Sequence, residues 1–261
     1  MFKVKKSKEF ANGIVYMLET ADGYPLEVTD TFLPYYTKFC INKHSNKLKK
    51  NDPGSRSERW MIGISVMSGC PVCCKFCATG KLKKWRNLTA EEIAGQVEFV
   101  ISRNSCHPKN SKEFKINYTR MGEPFLNAEN VKKAVKLINK QYTNVHHYIS
   151  TIGIKNSDMS WIKNNITLQL SLHSTDEQRR DKLIPYPGKM SIAELGNVRT
   201  TSALKTTLNL TLVDEKDFDI KILRKHFDPE CFFIKLSPIN KNTISESNKL
   251  GKGIIKQTNL L

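Results

Sequence analysis

Four of the chain's seven cysteines fall within eight residues, in Cys70-Pro71-Val72-Cys73-Cys74-Lys75-Phe76-Cys77. Thiols at that density ask for a metal. Taken as Cys70, Cys74 and Cys77, the spacing C-x3-C-x2-C can place three thiolates on three corners of a cubic iron–sulfur cluster and leave the fourth iron without a protein ligand. An open iron points to chemistry. Two other readings stand beside it. Structural zinc takes four tetrahedral ligands, usually from two separated Cys-x-x-Cys knuckles, and the adjacent Cys73 and Cys74 cannot both easily face one ion. A disulfide framework belongs to oxidising compartments, whereas this chain is lysine-rich, has an odd cysteine count and opens without an apolar leader. Reduced thiols and a cytoplasmic protein are the expectation.

The elements that must position this loop are β-strands alternating with helices. β-Branched or apolar runs at 62–66, 114–118, 146–150, 168–172, 206–213 and 231–236 read as six strands, which argues a parallel sheet of βα units. Thr89 with Glu92 three residues on forms a capping box, ahead of Ile93, Val97, Val100 and Ile101 at helical spacing. Asn127 opens a second helix with Val131, Ala134, Val135 and Ile138 on one face, and weaker helices are expected near 159–164, 191–204 and 218–226. Six units are two short of a closed eight-fold barrel.

The chain divides into residues 1–60 and a catalytic domain over 61–261. The first part opens with a basic tail (Lys3, Lys5, Lys6 and Lys8), followed by a hairpin whose arms, 14–18 and 24–28, flank Ala21-Asp22-Gly23. Residues 38–59 form a basic loop, with Lys38, Lys43, Lys47, Lys49, Lys50, Arg56 and Arg59 against Asp52 and Glu58. A second patch, Lys75, Lys81, Lys83, Lys84 and Arg86 with Trp85, surrounds the cysteines. Lysine and arginine outnumber acids by 42 to 25, for a formal charge of +17, and the chain is expected to meet RNA or another polyanion through these two patches. No run approaches the ~20 apolar residues of a membrane span.

Beyond the cysteines, several stretches together resemble the RlmN/Cfr group of RNA adenine methyltransferases, within the radical S-adenosylmethionine (SAM) superfamily. They are Ser68-Gly69-Cys70, Phe76-Cys77-Ala78-Thr79-Gly80, Arg86-Asn87-Leu88-Thr89-Ala90-Glu91-Glu92-Ile93, Met121-Gly122-Glu123-Pro124, Ser150-Thr151-Ile152-Gly153 and Leu170-Ser171-Leu172-His173. The resemblance runs from about Leu18 to Asn240, interrupted once by the basic loop. It implies an α/β fold, the open (β/α)6 partial barrel of the radical SAM type with a small N-terminal β-hairpin. It also implies a 4Fe-4S cluster on Cys70, Cys74 and Cys77, and SAM held by Gly122, Glu123, Ser150, Ser171, Leu172, His173 and Asn240 near strand C-terminal ends. SAM cleavage to a 5′-deoxyadenosyl radical, fed by a flavodoxin- or ferredoxin-type donor, would follow. Cys73, Cys106, Cys231, His146 and His147 receive no catalytic role.

The chain departs from the family in three places. It is expected to lack the helical domain that precedes the barrel in relatives, since it starts too late to carry one. Seven positions before Cys70, where the family has a resolving thiol, stands Gly63, and no cysteine follows Asn240 where the family has its methyl carrier. Cys40 is the one further thiol considered for catalysis. Three functions therefore stand: radical chemistry on a nucleic acid by a route other than the two-thiol methylation, radical SAM modification of a peptide or small molecule, and non-catalytic RNA binding by a relative of the rRNA and tRNA methyltransferases.

Overall fold

A computed structural model describes residues 2–35, 53–82, 84–237, 239 and 242–250. Cys40, Lys83, Asn240 and the basic loop up to residue 52 lie outside them. Two compact units interleave along the chain. The first is Met1–Val66, Leu88–Arg120 and Glu129–His147; the second is Met67–Asn87, Met121–Ala128 and Tyr148–Leu261.

In the first unit, β1 (Lys3–Phe10), β2 (Gly13–Glu19), β3 (Pro25–Leu33) and β4 (Arg59–Gly63) pair antiparallel in chain order, and β5 (Glu113–Tyr118) pairs parallel with β4. The stretch expected as a basic tail is thus a strand. Alternation sends Tyr16, Leu18, Leu26, Val28, Trp60, Ile62, Phe114, Ile116 and Tyr118 into the core. There they share burial with Ile93, Val97 and Val100 of α1 (Ala90–Ile101) and with Val131, Ala134, Val135 and Ile138 of α2 (Ala128–Gln141). The expected capping box is present: Thr89 Oγ1 accepts from the Glu92 N–H at 3.2 Å, and Glu92 Oε2 from the Thr89 N–H at 2.9 Å. Such a cap is worth about 1 kcal/mol.

One buried charge organises this core. Asp30 is fully buried and accepts from Trp60 Nε1 at 2.8 Å, Asn104 Nδ2 at 3.0 Å and Arg56 Nη2 at 2.7 Å. Its partners turn a desolvation cost into a fixed register between β3 and β4. His147, also fully buried, lies 3.0 Å from the Tyr118 hydroxyl and 3.0 Å from Asn139 Oδ1, and burial holds its pKa down to about 3. It is a satisfied core histidine.

The second unit carries β7 (Ile166–Ser171), β8 (Thr206–Thr211) and β9 (Phe232–Ser237), parallel in that order, with α3 (Glu177–Leu183), α4 (Ile192–Gly196), α5 (Ile220–His226) and α6 (Thr243–Ser247). Between them in sequence, β6 (Val145–Thr151) begins in the first unit and ends in the second. All six expected strands form, the first at Arg59–Gly63, three residues early. Two helix expectations need correction. Residues 159–164 make only turns, and of 191–204 only Ile192–Gly196 is helical, behind a Ser191–Glu194 capping box. The helix stops where its backbone is pressed against the end of α5: a Cβ on Gly196 would meet the His226 carbonyl oxygen at 2.1 Å.

Candidate active site

The cysteine loop lies wholly within the second unit and is held tightly. Gly69 has φ +101, and a Cβ there would sit 2.8 Å from Trp85 Cβ. Cys73 takes φ +55, and a Cβ on Gly80 would meet its Cα at 2.8 Å. That turn leaves the Cys73 sulfur exposed, 3.8 Å from the Cys70 carbonyl oxygen and 3.7 Å from that of Gly80. Cys70, Cys74 and Cys77 are half-buried free thiols. Burial pushes the Cys70 thiol up to about 12 and that of Cys74 well above its ordinary value, with the neighbouring thiols adding to both shifts. Among the described residues no three His, Cys, Asp or Glu side chains gather closely enough to hold a single metal ion.

Backbone contacts fix the loop from two sides. The Lys75 N–H donates to the Leu183 carbonyl at the end of α3 (2.9 Å), while Asn242 Nδ2 and Asn248 Nδ2, flanking α6, donate to the carbonyls of Phe76 and Lys75 (both 2.9 Å). Phe76 packs edge-on to the His173 ring, 4.8 Å between centroids.

Glu123 is the second focus. Gly122 before it has φ +101, and the space a Cβ would need is taken by Met67, whose Cγ would lie 2.6 Å away. The glycine therefore admits Met67. The Glu123 carboxylate is buried and accepts from the N–H groups of Phe125 (3.1 Å) and Ile152 (2.9 Å). Burial still wins over these bonds and over the side-chain bond from Thr151, and raises its pKa to about 7, with no cationic side chain among the described residues to offset it.

Ser150, Ser171, Leu172 and His173 stand at or just past strand ends in the same unit. Ser150 Oγ donates to Gln169 Oε1 at 2.9 Å, and Asn209 Nδ2 donates to the same oxygen at 3.2 Å. Ser171 closes β7 opposite Asn209, and Leu172 is buried behind it. His173 is buried with φ +59; burial lowers its pKa to about 3, and its Nδ1 accepts from the Thr211 N–H at 3.1 Å, which leaves the proton on Nε2. Buried polar atoms without a partner cost about 1–3 kcal/mol each. Three such atoms, Ser68 Oγ, Arg180 Nε and Asn209 Oδ1, belong to this unit.

The chain is 32% identical over 252 residues to a probable dual-specificity RNA methyltransferase RlmN from Pseudothermotoga lettingae, a match that takes in 91% of this chain and 64% of the relative. The chain belongs to the RlmN/Cfr group of radical SAM proteins. A second RlmN, from Dictyoglomus thermophilum, is 32% identical over 246 residues, with 92% of this chain and 62% of the relative covered. The chain thus spans somewhat under two thirds of the length of these relatives. No protein-family model matches it. Among solved structures, a radical SAM methyltransferase from Sphaerobacter thermophilus matches 96% of this chain and 74% of its own, with a TM-score of 0.66 at 21% identity. The expected fold class, α/β with the open partial barrel of the radical SAM type, stands with that likeness.

Sequence reading missed several residues that bond to, or brace, the expected ones. Gln169 and Asn209 join Ser150 in a polar row, and the alternation Ile166, Leu168, Leu170 buried against Thr167, Gln169, Ser171 less buried was the available signal. Arg180, wholly buried, sends Nη2 to the Ile152 carbonyl (2.8 Å) and Nη1 to that of Met190 (2.6 Å), bracing the strand end that bonds Glu123. Nothing in one sequence marks an arginine on a short helix as buried.

Proposed function

We propose that this chain binds a 4Fe-4S cluster through Cys70, Cys74 and Cys77, binds SAM beside Glu123, and cleaves SAM reductively in order to modify RNA. The observation that carries the reading is Glu123, a buried carboxylate with no counter-cation among the described residues, in the same compact unit as the three thiols. A buried charge persists when it is paired, and the ammonium of the methionine moiety of SAM is a fitting partner. The orphaned Ser68 Oγ and Asn209 Oδ1 likewise call for ligand atoms. When bound, the cluster would supply the electron that breaks a sulfur–carbon bond of SAM, a step cofactors perform and side chains cannot. The chain's part is to hold and orient: neutral His173 can donate from Nε2, Ser150 and Ser171 offer hydroxyls, and Asn240 belongs to the same set by its position in sequence. The RNA reading rests on the names of the relatives and on the +17 charge. A flavodoxin- or ferredoxin-type protein would supply the electron. Among the described residues no helix is long and apolar enough to cross a membrane.

The test is anaerobic reconstitution with iron and sulfide, then SAM and dithionite. Release of 5′-deoxyadenosine, accelerated by added RNA, is expected. Its absence from a fully loaded cluster would overturn the enzymatic reading, and acceleration by a peptide or metabolite but not by RNA would replace the substrate class.

Glu123 gives the reading a pH signature. Its folded pKa, about 7, exceeds its ordinary 4.5, so the folded state takes up a proton before the unfolded state does, and stability from this group is lost as pH rises from 4.5 through 7. SAM reverses the preference, because a bound ammonium favours the carboxylate. Affinity for SAM should therefore rise with pH up to about 7 and then level. Glu123→Gln should flatten that profile and weaken binding ten- to a hundred-fold, from loss of a charged hydrogen bond worth about 1.5–3 kcal/mol. Calorimetric titrations at pH 6 and 8 would show it, and an unchanged profile in the variant would remove Glu123 from the SAM site.

A further inference from the structure

Residues 3–10 carry four lysines that simple alternation would divide between the two faces of a strand, Lys3 and Lys5 on one and Lys6 and Lys8 on the other. The fold prevents this. β1 pairs with β2 through Lys3↔Glu19 and Val4↔Leu18, then through Lys6↔Met17, Lys8↔Val15 and Phe10↔Gly13, with a β-bulge between Val4 and Lys6. The extra residue re-phases the strand. Lys3, Lys6, Lys8 and Phe10 now stand opposite Glu19, Met17, Val15 and Gly13, alternate residues that share one face of β2. Lys5 joins them, its Nζ 3.2 Å from Glu19 Oε2. The other face of β2 is the core face of Tyr16 and Leu18, so the lysine face is the outer one. Glu9, the acid within β1, is opposite Ile14 on the core side.

Every residue of β1 is exposed. Phe10 and Met17 on the outer face are about half exposed, at 51% and 50%, and Lys8 Nζ lies 5.1 Å from the Phe10 ring centroid. Glu19 offsets Lys5, but among the described residues no acid lies within ion-pair distance of Lys3, Lys6 or Lys8. Lysines on an edge strand do deter sheet-to-sheet pairing. A bulge serves that task as well, but an exposed phenyl ring among lysines gathered on one face does not. A row of unpaired cations beside a flat aromatic surface is what a single-stranded nucleic acid uses, phosphates on the lysines and a base against the ring.

We infer that the outer face of the β1–β2 ribbon is an RNA-binding surface, with Lys3, Lys6 and Lys8 on phosphates and Phe10 under a base. This deepens the proposed RNA reading and rests on it. It also places an RNA contact outside both patches that charge clustering in the sequence singled out.

The test uses the full chain and a fluorescein-labelled single-stranded RNA of about 20 nucleotides, titrated at 50 and 200 mM salt. The variants are Lys3→Gln/Lys6→Gln/Lys8→Gln, Phe10→Ser and, for comparison, Lys81→Gln/Lys84→Gln/Arg86→Gln. Each phosphate contact contributes about 0.7 to the log–log salt slope for a single strand. The first triple variant should therefore lose a slope of about 2, so that its deficit against the parent shrinks about 16-fold across that salt range. Phe10→Ser should weaken binding with the slope unchanged. Thermal melting of the two β1 variants, expected to match the parent because these side chains are exposed, separates lost contact from lost fold. If the parent binds RNA and the β1 variants retain its slope and affinity, this surface is wrong while the RNA reading stands. If the parent binds no RNA at 50 mM salt, both fail. Binding instead to vesicles of phosphatidylserine, with loss in the same lysine variant, would reassign the face to an anionic membrane surface.

Discussion

Alanine in place of Cys70, Cys74 or Cys77 should abolish the brown iron–sulfur chromophore and with it all release of 5′-deoxyadenosine, while Cys73→Ala leaves both intact. Each of the three thiolates would hold one corner of the cluster, so losing any one leaves a second iron without a protein ligand. Their burial sharpens the expectation. Burial holds the Cys70 thiol up at about 12 and that of Cys74 well above its ordinary value, so without metal they stay protonated, and iron must expel those protons as it binds. Loading should accordingly release protons and become tighter as pH rises. Cys73 is different in kind: its left-handed backbone turns the sulfur out toward solvent beside the carbonyls of Cys70 and Gly80. Iron content and visible absorption after anaerobic reconstitution decide the matter. Tight zinc with no iron, or a colourless Cys73→Ala protein, would overturn the assignment.

The second large effect is an absence. With methyl-deuterated SAM and RNA, no deuterated methyl should appear on adenine carbon 2 or carbon 8 by the two-thiol relay of the RlmN/Cfr group. Resolving a protein–RNA adduct needs a thiolate, and nucleophilic catalysis stops when the nucleophile is missing. At the position that corresponds to the resolving thiol stands Gly63, and the structure shows that more than a side chain is lacking. A Cβ there would come 2.4 Å from Thr29 Oγ1 and 3.0 Å from Arg120 Cδ, the arginine being held in place by an ion pair with Glu27. The space is already filled. Gly63→Cys is therefore expected to destabilise the fold by about 1–3 kcal/mol of overpacking and to leave methyl transfer unrestored. Mass spectrometry of protein and RNA checks both forms. Deuterium on adenine, or on Cys40, would show that another thiol serves the relay.

The sequence by itself determined the strand and helix plan and the chemical focus. Six strands were readable because apolar runs of the right length alternate with helices of clear 3.6-residue period, and the start of α1 was readable because Thr89 and Glu92 satisfy each other's backbone donors. The cysteine spacing and the short stretches around it were enough to choose the family. These are local signals, carried by residues a few positions apart. Tertiary structure decided everything that depends on desolvation or on register. The short helix at 192–196 ends where the backbone meets α5, a contact no local pattern encodes. A Cβ on Gly122 would meet Met67, 55 positions away in sequence, and Glu123 has a raised pKa only because burial outweighs the bonds it accepts from Thr151 and from two N–H groups. The β1 lysines look like a solvated tail in sequence; pairing with β2 and one bulged residue turn them into a single charged face, since which side a strand residue faces is fixed by its partner across the ladder and not by its own identity.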